Sequence, residues 1–195
     1  DVLMNLSPKF YIDPTAGDAE KRLKQLRTQV KVTNFRSIYG GGLGAIQRAL
    51  GVSRNEAQEF RTFHSKALPG LKILNDAIEA MARRGEAIKT WGGRLYHVEA
   101  PVEQQTFYYK LINYLVQGSA ADITKQAIID WNAAKDKSTR FLVTVYDEIN
   151  ATAPLDIAQR EMAVLRTEMC KPRLDCPMLS DGKSESTWAT LEPCE

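Results

Sequence analysis

Residues that build covalent or metal-held scaffolds are scarce in this chain of 195: three cysteines, Cys170, Cys176 and Cys194, and two histidines. The cysteine count is odd and no C-x-x-C spacing occurs, so neither a disulfide framework nor a zinc site is indicated, and a reducing intracellular (cytoplasmic) setting is expected. No apolar run approaches the ~20 residues that span a bilayer, and no basic stretch followed by an apolar one opens the sequence, so no membrane partner is expected. The phosphate-cradling pattern G-x-x-x-x-G-K-[ST] is absent, which removes a P-loop from consideration. Internal repeats and low-complexity linkers are missing too. What remains is length enough for one large domain or two small ones with a real core.

Acidic residues are missing from one place in particular. Lys21 to Arg36 holds six basic residues and none of opposite sign, residues 1 to 66 hold eleven Lys/Arg against six Asp/Glu, and residues 147 to 195 hold five against ten. The small net charge of +2 therefore hides a basic, anion-facing element and a separate acidic part. Within the basic stretch Arg27, Lys31, Phe35 and Tyr39 recur every four positions, with Gly40 closing the series. On a helix each step of four advances about 40° beyond a full turn, so these side chains form one slowly curling stripe. Two cations followed by two rings suit a ligand that is anionic at one end and ring-bearing at the other, and a nucleotide is such a ligand.

The surrounding pattern predicts the elements. Asp1 to Pro14 reads as a lead-in turn or loop, Asp18 as an N-cap, and a helix from Ala19 carries Leu23, Leu26, Val30 and Phe35 until the glycines Gly40, Gly41, Gly42 and Gly44 end it. A short helix over 45–50, a capping box at Ser53 and Glu56 opening a helix to about Ala67, and a helix with Leu71, Leu74, Ile78 and Met81 after Pro69-Gly70 follow. Ala87 to Trp91 and Arg94 to Val98 read as a hairpin with a two-residue Gly92-Gly93 turn. A long helix is expected from about Glu103 to Ala134, with Phe107, Leu111, Tyr114, Leu115, Ile123 and Ile128 facing a core and Gly118 in its middle for a packing reason. Strands on either side of an Asp147-Glu148 turn, a helix over 155–169 and a loop-rich tail with one short strand near 177–179 complete the chain. Helices first and a small antiparallel sheet with helices later make an α+β fold of two subdomains meeting near residue 100.

Adjacent carboxylates at a hairpin tip raise one another's pKa unless a cation lies beside them. Mg²⁺ accepts a few carboxylates together with waters and phosphate oxygens, so Asp147 and Glu148 are candidate metal ligands for phosphoryl transfer, although a plain solvated turn is the better explanation of the pair on its own.

Taken together these stretches resemble the family A DNA polymerases, the group of bacterial DNA polymerase I and many phage replicases. The fingers pattern R-x-x-x-K-x-x-x-F-x-x-x-Y-G is present as Arg27, Lys31, Phe35, Tyr39 and Gly40, and the palm pattern V-H-D-E as Val145, Tyr146, Asp147 and Glu148. Asn113 to Asp122, N-Y-L-V-Q-G-S-A-A-D, is similar to the family's N-x-x-x-Q-G-[TS]-A-A-D helix, and Leu174 to Lys183 with Trp188 to its C-terminal segment. The resemblance implies helical fingers over 1–100 and the C-terminal part of a palm over 101–195. It implies that Arg27 and Lys31 hold the triphosphate of an incoming dNTP, with Lys31 also serving catalysis, that Phe35 packs on the sugar, and that Tyr39 sits by the templating base. A phenyl ring at Phe35 rather than a phenol implies disfavour toward a sugar lacking its 3′-hydroxyl. Asn113, Gln117 and Tyr146 would contact primer-template DNA, Asp147 would bind two catalytic Mg²⁺ ions, and Glu148 would assist near the primer end.

The departures are as informative. Tyr146 stands where the family usually has histidine, Tyr109 where it often has arginine, and Leu3 where a histidine precedes the fingers. The family's other metal-binding aspartate, in D-Y-S-Q-[IL]-E, has no match, and no thumb is recognisable. The expectation is therefore a polymerase piece that is inactive alone and needs the missing N-terminal part of the enzyme as partner. A single-subunit RNA polymerase shares the K…Y-G helix, but Phe35 and Asp147-Glu148 speak against it, and intact motifs speak against a decayed, merely nucleic-acid-binding piece.

Overall fold

In the computed structural model residues 10–99, 108–185, 187 and 192–193 are described. Leu3 and most of the expected lead-in, the start of the long helix at Glu103, Phe107, Trp188 and Cys194 lie outside them. Helices and small two-stranded sheets alternate in the expected α+β manner. They divide into two units: the described residues of Asp1–Ile88 and Leu95–Tyr114 form one, and those of Lys89–Arg94 and Leu115–Glu195 the other.

In the first unit, helix α1 (Ala19–Ile38) lays Leu26 and Val30 against a core of Phe10, Ile46, Leu50, Val52, Ala57 and Phe60, and buries Thr33 completely. Asp18 occupies the N-cap position but its side chain makes no capping bond, and Leu23 stays exposed. The helix ends with Gly40 at φ 86° and the Gly41 N–H donating to the Arg36 carbonyl at 2.6 Å, the six-to-one bond of a Schellman ending. Of the four glycines these two need to be glycine. A Cβ on Gly40 would lie 2.9 Å from the Tyr109 Cβ, and one on Gly41 2.5 Å from the Arg36 carbonyl oxygen. Helix α2 (Leu43–Leu50) follows, and α3 (Arg54–Ala67) opens with the complete capping box: the Glu56 N–H donates to Ser53 Oγ and the Ser53 N–H to Glu56 Oε2. Helix α4 (Pro69–Arg83) takes Pro69 into its first turn rather than starting beyond it, because a missing N–H costs nothing there.

The hairpin of β1 (Ile88–Lys89) and β2 (Leu95–Tyr96) is shorter than expected and its turn longer. The Thr90 N–H donates to the Arg94 carbonyl, the Gly93 N–H to the Thr90 carbonyl, and Gly93 lies at φ 89°, so the loop is the three residues Trp91, Gly92 and Gly93, with the left-handed glycine last.

In the second unit, α5 (Tyr108–Ala134, beginning in the first) carries Ala127 and Trp131 into a core with Ile149 and Leu165, and Gly118 in its middle is buried. Buried Glu161 of helix α6 (Ala158–Met169) accepts from the Asp136 N–H and the Thr139 hydroxyl, which fixes the turn out of α5. Strands β3 (Arg140–Val145) and β4 (Glu148–Thr152) pair antiparallel with a bulge at Leu142. A 3-10 turn over Leu155–Ile157 replaces the first turn expected of the last helix. The tail strand is not at 177–179: β5 (Lys183–Ser184) pairs with β6 (Glu192–Pro193), where a partner exists.

Candidate functional site

Helix α1 brings its four predicted residues into one row. Leu26, Val30 and Thr33 face the core, and the row from Arg27 to Tyr39 sweeps about 120° around the other side. Arg27, Lys31 and Phe35 are exposed and Tyr39 is half-buried. The rings of Phe35 and Tyr39 stack with centroids 6.2 Å apart and planes within 2° of parallel. Among the described residues neither Arg27 nor Lys31 forms an ion pair, so one guanidinium and one ammonium group meet solvent one turn apart, next to a flat apolar surface. Such a row can hold an anion at one end and a ring or sugar at the other.

The second predicted group lies at the β3–β4 hairpin, in the other unit. The turn is Tyr146-Asp147, not Asp147-Glu148. Val145 pairs with Glu148, which is thus the first residue of β4, and a two-residue connection then leaves only Tyr146 and Asp147 between the strands. Tyr146 sits at φ 56°, a backbone region that glycine prefers, and 92% of it is exposed. Asp147 and Glu148 are both exposed. Among the described residues no three of His, Cys, Asp and Glu gather into a metal-holding group. The two carboxylates are hard oxygen donors of the kind Mg²⁺ takes, and they fit part of its shell; the rest would come from water, phosphate and another carboxylate. Asn113, half-buried, and Gln117, exposed, stand one turn apart on α5.

A cluster that the sequence reading did not single out holds the 90–94 turn to α5. Asp122 Oδ2 accepts from Thr90 Oγ1 at 2.5 Å and from the Gly92 N–H at 3.2 Å, and Oδ1 accepts from Arg94 at 2.8 Å. Ser119 Oγ accepts from the Trp91 N–H at 3.0 Å. The Thr90 hydroxyl and then the Arg94 guanidinium hold the Asp122 carboxyl below its ordinary pKa, against the opposing effect of burial. The signal was present in the sequence as the Asp122 that ends N-Y-L-V-Q-G-S-A-A-D, thirty-odd residues after a Thr and two glycines, but nothing local says that they meet.

No helix among the described residues is long and apolar enough to cross a membrane. The family model for DNA polymerase family A matches residues 15–190. The chain is 29% identical over 190 residues to the DNA polymerase I of Lactococcus lactis subsp. lactis (strain IL1403), covering 90% of this chain and 20% of that protein. It is 29% identical over 199 residues to the DNA polymerase I of Bacillus caldotenax, covering 95% and 22%, and 33% identical over 135 residues to the DNA polymerase of Mycobacterium phage L5, covering 68% and 21%. It thus spans about a fifth of the length of these relatives. A similar fold occurs in the POL domain of Pol1 from M. smegmatis, solved in complex with DNA primer-template and dNTP, with a TM-score of 0.70 and 24% identity over 79% of this chain and 29% of that one.

Proposed function

The chain belongs to DNA polymerase family A, and from that premise we propose that it supplies the nucleotide-binding helix and one metal-binding carboxylate of a DNA-directed DNA polymerase. The substrates are dNTPs and a primer-template DNA. The primer 3′-hydroxyl gives up its proton to solvent as its oxygen bonds to the α-phosphorus, the bond to the bridging oxygen breaks, and pyrophosphate leaves.

The α1 row carries this reading. Arg27 and Lys31 hold the triphosphate through charge-assisted bonds, and Lys31 also opposes the charge that develops on the leaving pyrophosphate. Phe35 packs on the sugar, and Tyr39, stacked on Phe35, stands by the templating base. Asn113 and Gln117 contact the duplex in the minor groove, where every base pair presents acceptors, and Tyr146 meets the primer strand. Asp147 would hold Mg²⁺ and Glu148 would assist near the primer end. Two Mg²⁺ ions, when bound, supply positive charge opposite the attacking and leaving oxygens. Residues 1–100 act as fingers and 101–195 as the C-terminal part of a palm, in phage or bacterial replication in the cytoplasm.

Another stretch of polypeptide, the N-terminal part of the polymerase in the same or a separate chain, completes the metal site. Strand β3 supports this. Phe141, Leu142 and Val143 are consecutive, point to both faces of a two-stranded sheet, and are 42%, 57% and 49% exposed. A strand apolar on both faces belongs inside a larger, covered sheet, and a lone hairpin is marginal.

Equilibrium binding of a dNTP to the chain, followed by calorimetry, tests the reading. Lys31→Ala is expected to weaken binding about 10- to 100-fold through loss of one charged hydrogen bond; an unchanged affinity refutes the triphosphate assignment. The chain alone is expected to extend no primer in Mg²⁺, and extension would reveal a second metal carboxylate within it.

A further inference from the structure

We propose that the Trp91 indole is a stacking platform for an unpaired base of single-stranded DNA, mounted on α5 by the Asp122 and Ser119 clamp. The proposal rests on the DNA-binding reading above and adds a contact to it.

The two described tryptophans differ sharply. Trp131 is 1% exposed in the core of its unit, whereas Trp91 is 42% exposed as the first residue of a three-residue turn. A large ring left in solvent forgoes the burial that normally stabilises it. An exposed ring on a slack loop would mean little, but this loop is pinned on both sides of the ring. The Trp91 N–H is bound by Ser119, the Gly92 N–H and the Thr90 hydroxyl by Asp122, and the Arg94 guanidinium by the other Asp122 oxygen. The Thr90 hydroxyl also accepts from the Arg94 N–H at 3.1 Å, closing the turn on itself. Contact is so close at Gly92 that a Cβ there would lie 2.7 Å from the Asp122 carboxyl carbon.

Cation and ring occur together on this mount. A Cβ on Gly93 would lie 3.7 Å from the Lys89 Cε, so the side chain of the exposed lysine runs beside the turn. A pre-positioned indole with a cation on the same hairpin suits a base and its phosphate, and stacking of this kind tolerates any base because each has a π-face. Inside a duplex both faces of a base are covered by neighbours. An unpaired base, such as one in a template overhang, offers its face to the indole.

The test uses the chain with fluorescein-labelled oligothymidylate and with a blunt duplex, read by anisotropy, and the intrinsic tryptophan emission read in parallel. Trp91→Ala is expected to weaken oligothymidylate binding about 5- to 100-fold and leave duplex binding unchanged. Trp91→Phe, which keeps a ring on the same turn, is expected to lose less affinity and to abolish the emission quenching that oligothymidylate causes in the unsubstituted chain. Unchanged single-strand affinity of Trp91→Ala, an equal loss on blunt duplex, or quenching that persists in Trp91→Phe overturns the proposal while leaving the DNA-binding reading standing. If the unsubstituted chain binds neither DNA, the reading fails and the proposal with it.

Discussion

On α1, Arg27, Lys31 and Phe35 stand in solvent and, among the described residues, neither cation is paired; on α5, the Asp122 carboxylate, 9% exposed, is occupied by a hydroxyl, a backbone N–H and a guanidinium of a single turn. Both places are rich in charge, and both lie in stretches shared with the same family. A polar group whose bonds are met inside the protein holds the structure, and removing it leaves its partners unsatisfied. One whose bonds are left to solvent contributes little to folding and is free for a ligand. The two kinds of residue should therefore fail in different measurements.

The largest effect is expected at Asp147, exposed at its hairpin tip. If the proposed role holds, then in an enzyme completed by the polypeptide that role requires, Asp147→Ala should cut the rate of single-nucleotide addition by orders of magnitude. DNA affinity and melting temperature should hardly move, since a surface substitution changes stability by about 0.5 kcal/mol or less. A near-normal rate in single-turnover kinetics sinks the metal assignment; a large fall in melting temperature moves Asp147 to the structural side of the comparison.

Asp122 should behave in the opposite way. Its replacement by Ala strands the Thr90 hydroxyl, the Gly92 N–H and the Arg94 guanidinium, and about 2 kcal/mol of stability should be lost in urea denaturation. The acid limb gives an independent reading. The folded carboxyl titrates below its ordinary value, so its contribution is complete at neutral pH and is lost as pH falls below about 4 and through the folded pKa. Asp122→Asn should therefore show a shallower loss of stability over that acid window than the unsubstituted chain. Identical acid limbs would mean that the clamp does not discriminate the charged carboxylate.

What the sequence made legible follows from the range of the forces involved. The α1 row, the capping box at Ser53 and the stop at Gly40 depend on residues within one or two turns, and each is where its spacing put it. The misjudged details depend on partners far along the chain. Gly92-Gly93 suggests a two-residue turn until Asp122, thirty residues on, is seen to hold the Gly92 N–H and draw Trp91 out of the strand. The last strand sits at Lys183–Ser184 because its mate is Glu192–Pro193, which no local pattern announces. The Tyr146-Asp147 turn depends on a register set by the whole β3–β4 pairing, including the bulge at Leu142. The two units interleave along the chain, since residues 89–94 group with the later part of it.

The smallest effect sharpens the comparison most, because it separates internal satisfaction from burial. Ser53 is exposed, like Lys31, yet its hydroxyl accepts from the Glu56 N–H at 3.3 Å, and its own N–H donates to Glu56 Oε2 at 2.8 Å. If exposure alone sorted ligand-facing from structural groups, Ser53→Ala and Lys31→Ala would both be silent in denaturation. If met bonds sort them, Ser53→Ala should lose about 1 kcal/mol, the usual worth of an N-cap hydroxyl, while dNTP affinity stays unchanged. Lys31→Ala should show the reverse pattern. Restoring the hydroxyl with Ser53→Thr should recover most of the stability, because threonine accepts the same N–H from the same backbone position. Equal stability of Ser53→Ala and the unsubstituted chain in urea would show that a satisfied surface bond is no guide here, and Asp122 would then owe its effect to burial rather than to its partners.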